Sequence, residues 1–153
     1  MKVTVKKFVE LTTGELYKIL QLRSAVFVLE QNCAYQDLDG KDQTALHIIG
    51  TKNNDVVAYT RVYAVGDALG KASIGRVVVK KNQRKYGYGK DIMLASIEAI
   101  KENFNTNDIQ LSAQTYLRKF YSELGFEEVG EAYLEDGIPH IMMEKNSSLS
   151  RDK

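Results

Sequence analysis

The chain has 153 residues, with 21 Lys+Arg against 20 Asp+Glu for a formal net charge of +1, and 44% of its residues are hydrophobic and 27% charged. A chain of this size buries roughly 68–70% of the surface its unfolded form exposes, which supports one core and excludes two independent ones. The near-neutral balance excludes a protein whose main work is coating nucleic acid or an anionic membrane, because such proteins are basic overall.

Residues 3–8 alternate around Val3, Val5 and Phe8 and predict a short first strand. Thr12 and Glu15 have capping-box spacing and open a helix expected to run to about residue 31, with Leu16, Ile19, Leu20 and Phe27 as its apolar stripe and Lys18 and Gln21 outward. The polar run NCAYQDLDGKDQ then predicts a loop or one short helical turn. Residues 45–52 and 55–65 flank Asn53-Asn54, a pair that tolerates positive φ, and predict a hairpin whose second arm alternates between faces. A turn at residues 66–70 leads into a strand over 71–79, whose Val77-Val78-Val79 ending suits a strand covered on both sides. After a basic, glycine-containing loop, Met93, Ile97, Ile100 and Phe104 mark a helix over 88–104. A strand over 108–114 and a short helix through Leu117, Phe120, Tyr121 and Leu124, stopped by Gly125, come next. Two strands, 126–134 and 138–145, turned by Asp136-Gly137, close the chain. This order of hairpins and crossover helices predicts an α/β fold, with a mixed sheet and helices on both faces. One domain is expected over residues 1–145, followed by a loose tail, NSSLSRDK.

Cys33 is the one cysteine, so no intrachain disulfide can form and the cytoplasm is the default compartment. Lys6, Lys7 and Glu10 interrupt the first residues, leaving no stretch suited to a signal peptide, and no segment approaches the roughly 20 apolar residues of a membrane helix. No Cys/His cluster has zinc spacing, and the carboxylates do not form a calcium loop, so no metal is expected.

The segment Arg84-Lys85-Tyr86-Gly87-Tyr88-Gly89 joins a buried strand to an amphipathic helix. A first helical turn there offers unpaired amides and a positive dipole end, and glycines let backbone approach an oxyanion closely. Lys80, Lys81, Arg84, Lys85 and Lys90 surround it without an acid, so a polyanion would be steered to it. A solvated basic turn would carry the same six residues. Neither the P-loop pattern nor the dinucleotide-binding fingerprint occurs. Nucleic-acid binding through this loop lacks a continuous basic stripe or aromatic stacking platform.

Arg84, Gly87 and Gly89 fill the fixed places of [QR]-x-x-G-x-[GA], and in this the chain resembles the GCN5-related N-acetyltransferase (GNAT) family, where that pattern holds acetyl-coenzyme A. The segment LRKFYSELGF is similar to that family's tyrosine-bearing helix and following strand. LRSAVFVLEQNCAYQDLDG and EDGIPHIMMEK further resemble its ElaA-like branch. The resemblance spans about residues 3–145 and implies the GNAT fold, a central, mostly antiparallel sheet whose strand before the signature is splayed from its neighbour. It also implies that pantetheine would lie against the backbone of Val77 and Val79. Amides from Arg84 through Lys85, Tyr86, Gly87, Tyr88, Gly89 and Lys90 would hold the pyrophosphate, with a lysine on the terminal phosphate. Tyr121 matches the family's general acid, although its spacing with Leu117, Phe120 and Leu124 also suits the core.

The activity so implied is transfer of an acetyl group from acetyl-CoA to a primary amine, small-molecule or peptide, by direct attack in a ternary complex. The alternative is a non-catalytic acyl-CoA-binding or sensing module. A lysine-like amine with pKa ~10.4 is about 0.04% neutral at pH 7, a penalty of ~4.6 kcal/mol, whereas an α-amine near 7.7 costs only ~1 kcal/mol. A base, direct or water-relayed, therefore matters most for the first class. Glu30, Asp37, Asp39 and Asp42 follow the first helix, where related enzymes build part of the acceptor pocket, and Glu30 is the first choice of acceptor-side carboxylate. His47, His140, Cys33, Arg61, Tyr63 and Arg76 are further candidates for the site, each also explicable as an ordinary structural residue. A homodimer paired through the late strands would be compatible with the fold. Local charge is uneven: the five basic residues of 80–90 contrast with six acids and no base over 123–136, an arrangement that suits an anionic cofactor and a cationic acceptor, or two solvated faces.

Overall fold

A computed structural model of the chain describes residues 1–65 and 71–146, so the turn expected at 66–70 and nearly all of the expected tail lie outside the described residues. The first strand, β1 (Lys2–Lys7), leads through a 3₁₀ turn to α1 (Thr13–Arg23). The capping box forms as its spacing predicts: the Glu15 amide donates to Thr12 Oγ1 at 3.0 Å, and the Thr12 amide donates to Glu15 Oε1 at 2.9 Å. The helical path continues to Glu30, but its last stretch, Ser24–Glu30, is π-helical. The wider turn keeps Val26 in the core with Ile19 and Leu22 while Glu30, at the end of the segment, reaches Arg84.

A hairpin joins β2 (Leu46–Lys52) to β3 (Asp55–Tyr63), with φ of 54° and 67° at Asn53 and Asn54. Both faces of β3 are buried from Val56 to Val62. Next come β4 (Ala72–Val79), a 3₁₀ segment (Lys81–Tyr86), α2 (Tyr88–Phe104) and β5 (Ile109–Gln114). Then α3 (Arg118–Glu123) precedes β6 (Glu127–Glu135) and β7 (Ile138–Lys145), which turn at Asp136 and Gly137 with φ of 52° and 77°. The seven strands form one sheet in the order β1-β2-β3-β4-β5-β7-β6. Every pair is antiparallel except β4–β5, so the sheet is mixed and mostly antiparallel. One sheet face packs Ile49, Val56, Tyr59 and Val78 against Ile19, Leu22 and Val26. The other carries the larger core, where Ile92, Met93 and Ile100 of α2 and Tyr121 of α3 meet Ile48, Ile109 and Met143. Among the described residues no helix is long and apolar enough to cross a membrane.

Two irregularities shape β4. The parallel β4–β5 pairing consists of Ala72 with Ile109 and Ser73 with Gln110, after which the strands part. On the other edge of β4 the register runs from Tyr59–Val78 to Arg61–Gly75, so Arg76 and Val77 together face Thr60. This is a β-bulge, with Arg76 at φ 50°.

The loop after the π-helical segment is tied to the sheet by buried ion pairs. Arg23, fully buried, places Nε 2.9 Å from Asp37 and Nη1 2.7 Å from Asp42. Arg61 shares Asp42 at 2.8 Å and also holds Asp39, while Arg76 Nε lies 2.7 Å from Asp37 Oδ1 without hydrogen-bond alignment. Asp37, Asp39 and Asp42, expected at an acceptor pocket, thus neutralise three arginines. His47 is buried in the same region, its ring nitrogens 2.6 Å from Tyr59 Oη and 2.9 Å from the Asp42 carbonyl.

Arg23→Ala takes one of two arginines from each of the buried carboxylates Asp37 and Asp42 and should cost about 3 kcal/mol, read as a lower urea midpoint. The Arg61 hydrogen bond holds Asp39 well below the usual carboxylate range; at Asp42 burial pushes the pKa up, but Arg23 and Arg61 outweigh it and hold it low. Folded-state values below the unfolded value give stability that is complete above about pH 4 and drains as pH falls. Unfolding midpoints measured between pH 3 and 7 should decline on the acid side, and Asp42→Asn should flatten that decline.

Candidate active site

A cleft of about 540 Å³ opens where β4 and β5 part. Val77 and Val79 form its β4 wall, Gly87, Gly89 and Lys90 one end, and Leu117, Phe120 and Tyr121 the wall from the α3 side. At the end facing the loop, Gly87 takes φ 75° and caps α2 with no side-chain bond of its own. The Asp91 amide donates to the Gly87 carbonyl at 3.2 Å, so the amides of Tyr88, Gly89 and Lys90 precede the helical ladder and lack intrahelical acceptors. The helix dipole adds positive potential at the same point. Gly89 faces the cavity between two walls: a Cβ there would meet Phe120 Cζ at 3.5 Å and Val79 Cγ2 at 3.8 Å. Donors, helix end and glycines together suit a phosphate-bearing ligand whose length continues along β4.

Arg84 turns back along β4, donating from Nε to the Val79 carbonyl at 3.0 Å and forming a bidentate pair with Glu30 at 2.5 and 2.8 Å. That hydrogen bond lowers the Glu30 pKa. Lys85, Tyr86 and Tyr88 do not line the cleft. The Tyr86 and Tyr88 rings lie 5.5 Å apart, with Lys52 Nζ 4.2 Å from the first and 5.5 Å from the second. Tyr121 is 5% exposed yet lines the cleft, and burial pushes its phenol pKa up. The ring packs edge-on against Phe120 and Phe126, as its core spacing suits, while the residue also borders the cavity.

The other end of the cleft has a polar floor. Directly opposed residues of an antiparallel pair share a face, so Gln114 on β5, His140 on β7 and Tyr133 on β6 lie side by side, on the face that α1 leaves uncovered. His140 is 7% exposed, with Nδ1 2.7 Å from the Ile138 carbonyl and Nε2 3.7 Å from Glu135 Oε2. Ser112 Oγ bonds to Tyr133 Oη and to Glu135 at 3.1 Å. Across the opening, Cys33, Tyr35 and Arg76 complete the lining, and the Gln31 and Gln114 amides exchange hydrogen bonds at 3.3 and 3.5 Å. Of the remaining candidates, Arg61 and Tyr63 stand outside the cleft, Arg61 in the ion-pair network and Tyr63 bonded to the Lys41 carbonyl. Gln31, Gln114, Ser112 and Glu135 had no motif to mark them. Strand alternation alone puts Ser112 and Gln114 on one face of β5, but which face lines a cavity depends on where α1 ends.

The described residues contain no group of three or more His, Cys, Asp or Glu side chains able to hold a metal ion. Residues 16–147 match the family described as acetyltransferase (GNAT) domain. The chain is 46% identical to the protein ElaA of Escherichia coli over 136 residues, covering 88% of this chain and 89% of that protein. A UPF0039 protein of Schizosaccharomyces pombe is 40% identical over 94% of this chain and 95% of its own length. The crystal structure of an acyl-CoA N-acyltransferase from Pseudomonas aeruginosa superposes with a TM-score of 0.88 at 38% identity, over 95% of this chain and 99% of that one. With the splayed strands, the bulged β4 and the glycine-flanked helix start already in view, these similarities establish that the chain belongs to the GNAT family of acyltransferases, in its ElaA-like branch.

Proposed function

We propose that this protein is an acetyl-CoA-dependent N-acetyltransferase that transfers acetyl to a primary amine by direct attack in a ternary complex. The observation that carries this reading is that the open edge of β4, the free amides at the start of α2 and the Tyr121 phenol border a single cleft. In the proposed complex the main chain of Val77 and Val79 bonds the pantetheine amides, extending the sheet where β5 has turned away. Residues 84–90 receive the pyrophosphate, with Gly87, Gly89 and Lys90 at the cleft and Lys85, Tyr86 and Tyr88 toward the rest of the nucleotide. Arg84 and Glu30 hold the junction between the two ends.

Tyr121 is proposed to give its proton to the departing thiolate. A phenol whose pKa is raised by burial stays protonated near neutral pH, the form a proton donor needs. Glu30, the first choice of acceptor-side carboxylate, is proposed to hold Arg84 beside the cleft rather than to act as a base, since the pair with Arg84 favours its ionised form and neutralises its charge. Holding thioester and amine together contributes ~7–11 kcal/mol whatever the acceptor. The non-catalytic alternative would bind the same cofactor but has no use for a phenol at the cleft.

Tyr121→Phe removes one oxygen from a packed ring and should lower kcat about 10²–10⁴-fold with cofactor affinity unchanged, read by thiol release from acetyl-CoA across a panel of amines and by calorimetric titration with CoA. Turnover equal to wild type across pH would remove the proposed acid, and CoA binding with no turnover by any amine would favour the sensing module. Gly89→Val, which points a branched side chain between Phe120 and Val79, should raise the CoA dissociation constant at least about tenfold, a loss of ~1.4 kcal/mol.

A further inference from the structure

We propose that His140 is the general base for the acceptor amine, and that the acceptors it serves arrive as ammonium ions of high pKa. This rests on the acetyltransferase reading above and adds the residue that takes the proton.

A backbone carbonyl can only accept, so the 2.7 Å contact between His140 Nδ1 and the Ile138 carbonyl requires Nδ1 to carry the hydrogen in the neutral ring. The lone pair then resides on Nε2. The ring is stacked on Tyr133 with centroids 6.3 Å apart and planes 23° from parallel, and Tyr133 is itself held by Ser112. Both the tautomer and the orientation are therefore set by neighbours. Glu135 Oε2 lies 3.7 Å from Nε2. Tyr133 on β6 meets the imidazole through its ring, and the other titratable groups facing this end are Asp136 in the turn, and Cys33, Tyr35 and Arg76 on the opposite wall. Arg76 is held by Asp37 and Asp39, Tyr35 donates to Asp37, and Cys33 donates to the Asp136 carbonyl. Glu30 is engaged by two bonds from Arg84, whereas none of these groups donates to His140 Nε2.

In the reaction, the ammonium form of the acceptor loses one proton to Nε2, which passes it to water. The freed lone pair forms the C–N bond as the C–S bond breaks, and Tyr121 protonates the sulfur. The nitrogen's second proton goes to solvent, from which the Tyr121 phenolate recovers one.

The test is His140→Asn, whose side-chain amide can still donate to the Ile138 carbonyl, with His140→Gln as a second variant. Acetyl-CoA turnover is measured against n-butylamine and against semicarbazide, a nucleophile already neutral at pH 7. The expected result is a drop of about 10²-fold or more in kcat/KM for the alkylamine, under tenfold for semicarbazide, loss of the acidic limb of the pH profile, and an unchanged CoA dissociation constant. Equal losses for both nucleophiles, or wild-type rates, would overturn the assignment. Nitrogen-15 NMR of the wild-type imidazoles, of which the chain has two, should find His140 protonated at Nδ1; an Nε2-protonated ring would overturn the assignment without any variant. Absence of wild-type turnover with every amine, alongside normal CoA binding, would instead overturn the acetyltransferase reading and this one with it.

Discussion

The site depends on one constraint: β4 is paired with β5 for two residues and then leaves it. Strands that separate leave peptide groups that must find other partners, since buried backbone polar groups are seldom left unpaired. On the β3 side the bulge at Arg76 and Val77 redirects the strand, and an arginine at φ 50° needs surroundings that hold it there. Asp37 and Asp39 do so from the loop, and that loop is anchored in turn by Arg23 and Arg61. The buried ion-pair network and the cleft are therefore parts of one arrangement. The network costs desolvation that apolar side chains would not, but it keeps the bulge, and with it the cleft, in one geometry.

Charge is distributed by the same fold. The basic stretch before α2 meets the cleft through Arg84 and Lys90, and there it suits an anionic ligand. The acids divide into three groups. Asp37, Asp39 and Asp42 are neutralised inside the protein, Glu127, Glu128 and Glu131 lie exposed on the edge strand β6, and Glu135 and Asp136 border the cleft. The segregation of sign along the chain is thus only partly a property of the site: a carboxylate bound to an arginine attracts little else, and one in bulk water is screened beyond about 8–10 Å.

Much of the architecture was legible because it is local. The capping box at Thr12 and Glu15, the Asn53-Asn54 and Asp136-Gly137 turns, and the stripe on α2 each depend on contacts within a few residues. The continuation of α1 past Arg23 was legible in length but not in kind, because the wider helical turn of Ser24–Glu30 answers to packing against the sheet. Arg23 shows the limit most plainly: an arginine on a helix is ordinarily outward, and nothing nearby in the chain announces that Asp37 and Asp42 will enclose it. Of the site, the glycine-flanked turn at 84–89 and Tyr121 could be singled out by motif. His140 could be named as a candidate but not separated from His47, although one borders the cleft and the other is sealed beside Tyr59.

By itself the sequence determined the order of strands and helices, the glycine-flanked start of α2 and the family to which the chain belongs, because periodicity, turn chemistry and short motifs are written in neighbouring residues. Tertiary structure alone decided where β4 and β5 part, which carboxylates are neutralised by buried arginines, and which polar side chains form the open floor beyond α1. Those outcomes depend on residues tens of positions apart meeting in a low-dielectric interior, where pairing and exposure are settled by the whole fold and not by any one segment.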